Sequence, residues 1–289
     1  MAETTNIGWC DATFNPWIGC TEVSDACGPC YAREWAARYY PAAKWGDFPR
    51  IRTSEGVWKM PRRLNATAEK EGTRPFLFCA SLSDIGDNQA PMEWFIDTMN
   101  LARETPNVVW LLLTKRIAML AKRAKEAGGL PSNCAIGSTF ANQEEYDRDR
   151  IKLRTARDEL GALFSFCSIE PQLGYIIPDK NAPDWLIVGG MSGPQWREHD
   201  LPADWVRPLR DFAVSTKRSF YLKQWSALRP KGRGCELDGR WPDGAIVRDR
   251  SFAVRLAAAT SPIATSESPV GSLPSTRRSI CMPSARAAL

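Results

Sequence analysis

One histidine, His199, stands in a chain of 289 residues, so a metal site built on imidazole has a single candidate donor. Long apolar runs are missing as well: none approaches the roughly 20 residues needed to span a bilayer. The first residues, Met1 to Asn6, lack the basic start, apolar stretch and small-residue cleavage site of a secretory signal. A cytoplasmic location without membrane attachment is therefore expected. Internal repeats are not visible, and excess charge is small. The net charge of +5, part of it from Arg277, Arg278 and Arg286 near the C-terminus, permits an anionic partner without requiring one. The 44% hydrophobic and 25% charged composition is that of an ordinary globular protein.

What the chain does have is cysteine, nine in all. In a reducing compartment such a number points to metal ligation or burial rather than disulfides. Cys79, Cys134 and Cys167 lie in apolar runs and read as small hydrophobes. Cys10 follows Trp9 in an expected strand, and Cys281 falls in the C-terminal tail. Cys235 sits in a loop whose basic neighbours favour the thiolate. The remaining three are different. Cys20, Cys27 and Cys30 occupy one loop with Gly19, Gly28 and Pro29, and such a loop can fold back to bring three sulfurs to one point. Ala32, Trp35, Ala36 and Tyr39 then recur at helical spacing, so Cys30 is expected at a helix N-terminus, where the dipole favours a thiolate.

Short apolar segments alternate with helical patterns along most of the chain. Strand signals cover Ile7 to Phe14, Phe76 to Ala80, Val108 to Leu113, Ala135 to Thr139, Leu163 to Ile169, Trp185 to Val188 and Ser219 to Lys223. Helical patterns follow at Pro91 to about Ala102, Arg116 to Ala127, Asn142 to Leu160 and Ala203 to Ser215. Pro41 to Pro61 reads as a long loop, and Arg62 to Lys70 as a short helix. Continuous apolar strands alternating with helices imply a parallel sheet covered on both faces. We therefore expect an α/β fold, a complete or partial parallel β/α barrel over residues 1–258, in preference to an open doubly wound sheet. Residues 259–289, rich in Ser, Pro and Ala, are expected to form a disordered tail. Polar residues cluster after the strands, and in such barrels the site lies at those C-terminal ends. Asp84, Lys115, Glu170 and Lys223 should gather there with the cysteine loop.

Two chemistries compete for three clustered thiols. Structural zinc takes four protein ligands, so it would need His199 or another cysteine. A [4Fe–4S] cluster held by three cysteines leaves one iron open for an outside ligand.

Several short stretches, taken in order, carry a resemblance. They are Phe14-Asn15-Pro16-Trp17-Ile18-Gly19-Cys20, Cys27-Gly28-Pro29-Cys30-Tyr31-Ala32, Ser81-Leu82-Ser83-Asp84, Leu113-Thr114-Lys115-Arg116, Ser168-Ile169-Glu170-Pro171, Val188-Gly189-Gly190-Met191-Ser192-Gly193 and Leu222-Lys223-Gln224-Trp225. Together they resemble an uncharacterised phage and prophage protein family (phage Gp thirty-seven/sixty-eight-like) regarded as radical-SAM-like. The resemblance implies a [4Fe–4S] cluster on Cys20, Cys27 and Cys30, whose open iron chelates the amino and carboxylate groups of S-adenosyl-L-methionine (SAM). An electron donor would then drive formation of a 5′-deoxyadenosyl radical that takes a hydrogen from substrate. It further implies Asp84, Glu170, Gly189 and Gly190 as cofactor contacts, and Lys115, Glu170 and Lys223 as catalytic residues. The chain departs from the usual radical SAM loop in having six residues between Cys20 and Cys27, and Pro29 rather than an aromatic before Cys30. It departs from the family at Met191 and at Ala141, where acidic residues are expected.

Phage association and the tryptophan content suggest a nucleotide or nucleic acid substrate. Trp17, Trp45 and Trp58 either fill the barrel mouth, the reading slightly preferred, or stack on bases, with Arg50, Arg52, Lys59, Arg62 and Arg63 for phosphates. The competing class is a non-catalytic nucleic-acid-binding protein stabilised by zinc or a cluster.

Overall fold

The computed structural model describes residues 5–43 and 45–239. The tail and the stretch from Trp241 to Ala258, including the boundary expected at residue 258, lie outside the described residues.

Seven parallel strands form one sheet: β1 (Ala12–Phe14), β4 (Phe76–Cys79), β5 (Val109–Thr114), β6 (Cys134–Thr139), β7 (Ser165–Ile169), β8 (Trp185–Gly189) and β9 (Ser219–Gln224). A small antiparallel pair, β2 (Trp17–Ile18) and β3 (Ile51–Arg52), stands apart. The helices are α1 (Tyr31–Tyr39), α2 (Glu55–Glu71), α3 (Met92–Arg103), α4 (Ile117–Glu126), α5 (Gln143–Leu160) and α6 (Ala203–Ser215). Each strand of the large sheet pairs with the next one of that sheet in the chain, without reversal. A doubly wound sheet reverses its order at a switch point, so this winding is the barrel type. Among the described residues β1 and β9 remain edges. The result is a curled half-barrel, the partial form of the expected barrel.

The alternation of side chains along each strand separates two cores. Leu77, Trp110, Leu112, Ile136, Leu186 and Leu222 pack outward with helix residues such as Phe95, Leu120 and Leu209. The opposite face carries Phe76, Phe78, Leu111, Phe166, Trp185 and Tyr221, closed by Trp9 from the turn before β1. Trp9 lies 4.6 Å from Phe78, 6.2 Å from Phe166 and 6.4 Å from Trp185 by ring centroids. Such pairs add about 0.5–1.5 kcal/mol each beyond burial.

This inner face also explains Gly137 on β6. A Cβ there would lie 2.5 Å from the Phe166 ring. We expect Gly137→Ala to cost about 1–3 kcal/mol through overpacking. Urea denaturation should show a smaller penalty in a Phe166→Leu background, and an equal penalty in both would remove this explanation.

The structure corrects several expectations. The first strand covers only Ala12–Phe14, because Trp9 and Cys10 belong to a turn that plugs the barrel. The region read as a long loop contains β3, and α2 begins at Glu55, seven residues before Arg62. Pro61 was expected to end the loop, since proline removes an intrahelical hydrogen bond, yet it is buried inside α2 beside buried Met60. Burial of that helix face outweighs the lost bond. The helical stripe of α1 also divides differently: Ala32 and Ala36 are buried, whereas Trp35 and Tyr39 are exposed. Cys79, Cys134 and Cys167 are buried as expected, and burial pushes all three thiols up, Cys167 to about 12. Cys235, read as a loop cysteine with basic neighbours, is fully buried with the outer core. No helix among the described residues is long and apolar enough to cross a membrane.

Candidate functional site

At the C-terminal ends of the strands opens a cavity of about 210 Å³. Its walls include Cys20, Cys27 and Cys30, with Asp84, Lys115, Glu170, Gly190 and Lys223 from the strand ends. Of the residues given metal, cofactor or catalytic roles from the sequence, only Gly189 does not line it.

The cysteine loop is held by two arginines, each backed by an aspartate from the turn after β4. Asp84 accepts from Gly86 N at 2.8 Å, from Lys115 N at 3.1 Å, from the Thr114 hydroxyl, and from Arg116 Nη1 at 2.8 Å. Arg116 in turn donates to the Thr21 carbonyl at 2.6 Å and approaches Cys20 Sγ at 3.7 Å. Asp87 pairs with Arg50 Nε at 2.6 Å, both side chains 0% exposed. Arg50 Nη2 reaches Thr21 Oγ1 at 2.7 Å, and its Nη1 donates to the carbonyls of Gly46 at 2.9 Å and Phe48 at 2.8 Å. Thr21 is thus gripped from two sides. Asp84, expected to contact a cofactor, lines the cavity and also accepts the bonds that orient Arg116. Arg50, expected to meet phosphates, is sealed in this clamp, and Trp17 is core. Trp58 packs on Phe14 with Arg52 over its ring at 3.9 Å, Lys59 and Arg62 pair with Glu55 and Glu104, and Trp45 alone of the three tryptophans lines the cavity.

Across the cavity Lys223 and Glu170 form an ion pair, with side chains 18% and 17% exposed. Gly189 makes room for it. A Cβ at that position would sit 3.2 Å from Glu170 Cγ and 3.6 Å from Lys223 Cβ. Gly190 is needed for a different reason: its Cβ would lie 2.3 Å from Ser226 N. The close approach lets Ser226 Oγ accept from Met191 N and Leu201 N, both at 3.1 Å. Met191, at the position expected to be acidic, faces the cavity as a buried thioether. Ala141 is buried, and its N–H is accepted by Glu145 Oε2 at 2.7 Å. A carboxylate therefore reaches this backbone position from the next turn.

Cys30 is the N-cap of α1, as expected. Cys20 Sγ bonds the Thr21 carbonyl at 3.5 Å, and Cys27 Sγ lies 3.9 Å from Ser24 Oγ. Burial, and then the Asp84 carboxylate, push the Cys20 thiol up to about 12. Among the described residues no three His, Cys, Asp or Glu side chains are placed to hold a metal ion, so ligation by all three thiols requires the loop to rearrange and to release protons. The donor set in the wall is three thiols with the carboxylates of Glu22, Asp84 and Glu170, and no histidine. His199 is exposed outside the cavity. Two polar atoms at the cavity, Ser83 Oγ and Trp9 Nε1, are buried without a hydrogen-bond partner.

Thr21 and Asp87 carry no signal in the sequence. Nothing in their spacing separates a buried clamp from a solvated turn. Comparison with curated proteins and with solved structures finds no match. The DUF5131 family, described as proteins of unknown function, matches residues 4–250. That match spans most of the chain, which therefore belongs to the DUF5131 family.

Proposed function

We propose that the cavity is the active site of a radical-SAM-like iron–sulfur enzyme, with Cys20, Cys27 and Cys30 as cluster ligands. The observation that supports this most is the sharing of one cavity by three loop thiols and the polar ends of the parallel strands. When bound, the cluster would supply an electron and an open iron position for SAM. The protein's part is placement. Arg116 and Arg50 hold the start of the cysteine loop against the barrel mouth. Lys223 fixes one oxygen of Glu170, and the other oxygen is left to accept from a ribose hydroxyl or an amino group. The aromatic inner core beneath the cavity keeps bulk water from reaching it from below, as radical chemistry requires.

Anaerobic reconstitution with iron and sulfide, followed by SAM and a reductant, tests the reading. 5′-Deoxyadenosine is the expected product. Stoichiometric zinc without a cluster would overturn the proposal in favour of a zinc-stabilised binding protein. We further expect Glu170→Gln to reduce product formation at least about tenfold, the order of one lost positioning contact, with iron content unchanged. Iron loss in that variant would move Glu170 from a ligand-positioning to a structural role.

A further inference from the structure

Helix α1 presents its aromatic row to solvent. Tyr31, Trp35 and Tyr39, spaced four residues apart, share one helical face, and they are 57%, 36% and 55% exposed. A helix of this size ordinarily buries its large rings and exposes small residues, whereas α1 buries Ala32 and Ala36. The rings are organised rather than loose. Trp35 lies 4.9 Å from Tyr39 and 5.6 Å from Tyr40 by centroids, the latter pair stacked at 30°. Tyr31 Oη donates to the Ser81 carbonyl at 2.9 Å, which pins an exposed ring at the cavity wall. From there the row runs outward at a rise of about 6 Å per ring along the helix axis.

The charges along this row differ from those elsewhere around the cavity. Of the charged side chains in the cavity wall, Glu22 pairs with Arg33, Asp84 with Arg116 and Glu170 with Lys223. Lys115 alone has no ion pair or side-chain hydrogen bond among the described residues. At the outer end Arg38 lies over the Tyr39 ring at 5.3 Å, and it too has no carboxylate partner among the described residues. A row of exposed rings with a cation outside any ion pair at each end, among the described residues, matches the stacking faces and phosphates of a single nucleic-acid strand. Glu34, on the same helix, opposes phosphate and sets a limit on affinity.

The geometry points to α1 as a platform for single-stranded nucleic acid, its bases stacked on Tyr31, Trp35 and Tyr39, with one nucleotide delivered to the cavity and its phosphate met by Lys115. This rests on the reading of the cavity as an active site and names its substrate class. The test is fluorescence anisotropy of the full chain, as purified and after reconstitution, with labelled oligothymidylate and oligouridylate of about 12 nucleotides, within the span of one stacking groove. The two probes separate DNA from RNA. Binding of at least one, weakening with salt and about tenfold or more stronger than to a duplex of equal length, is expected. Trp35→Ala/Tyr39→Ala should lose about tenfold or more, Lys115→Met should flatten the salt dependence, and Ile151→Ala, an exposed change on α5, should leave binding unchanged. All replaced rings are exposed, and thermal melts verify folding. The inference is overturned if the wild-type chain binds neither strand, if duplex is preferred, if the ring variant binds normally, or if the row instead mediates self-association. Cluster formation without strand binding would remove this inference alone, whereas strand binding without a cluster would remove the enzymatic reading and with it the delivery of a nucleotide for reaction, leaving α1 as a binding platform only.

Discussion

Arg50→Met should lower stability by about 3–5 kcal/mol, because it leaves the Asp87 carboxyl group buried without its cationic partner. For a protein of this size that corresponds to a fall of roughly 10 °C in the melting temperature. The loss has two parts. Arg50 neutralises a carboxylate that is 0% exposed, and it also satisfies the carbonyls of Gly46 and Phe48 and the Thr21 hydroxyl. Replacing both partners with apolar side chains, Arg50→Met/Asp87→Leu, should recover much of the loss, since an absent pair costs far less than a broken one. The remaining deficit reports the bonds to Thr21 and the carbonyls. Proteolytic nicking between Thr21 and Cys27 should rise in the single variant even where the fold persists. A single-variant penalty under 1 kcal/mol, measured by thermal melting, would show that Arg50 does not hold the loop.

The second large effect concerns the thiols themselves. Cys20→Ser, Cys27→Ser and Cys30→Ser should each abolish most of the iron and sulfide taken up on reconstitution, whereas Cys79→Ala, Cys134→Ala and Cys167→Ala should not. The contrast follows from position. The first three line the cavity, and the others are buried in strands where burial raises their thiols and keeps them inert. Iron and acid-labile sulfide assays decide it. Uptake lost equally in all six variants would mean that folding rather than ligation is being read.

How far the sequence foretold this site depends on what kind of residue is asked about. Strand and helix positions were legible because apolar runs such as Val109–Thr114 and Trp185–Gly189 alternate with helix patterns, and α6 falls on Ala203–Ser215 as expected. Strand ends were legible too. Lys115, Glu170 and Lys223 converge because a parallel sheet puts every C-terminal end on one side. What the sequence concealed was the sorting of charges into sealed and open ones. Arg50 and Lys115 are both expected at the site, one for phosphates and one for catalysis, yet Arg50 is enclosed with Asp87 while Lys115 forms no ion pair among the described residues, and that difference arises only from tertiary packing. Pro61 misled for a similar reason, since helix burial overrode a local breaking signal. The exposure of Trp35 and Tyr39 was equally hidden. Periodicity shows that rings share a helix face, and only the fold shows that this face is turned to solvent.

The central claim, three thiols that hold a cluster with one open position for SAM, is tested most directly by electron paramagnetic resonance of the reduced, reconstituted protein with and without SAM. The account predicts a reduced [4Fe–4S] signal whose g-values shift on addition of SAM and which is absent from Cys30→Ser. A cluster signal indifferent to saturating SAM, or no cluster signal in protein that carries stoichiometric zinc, would contradict it.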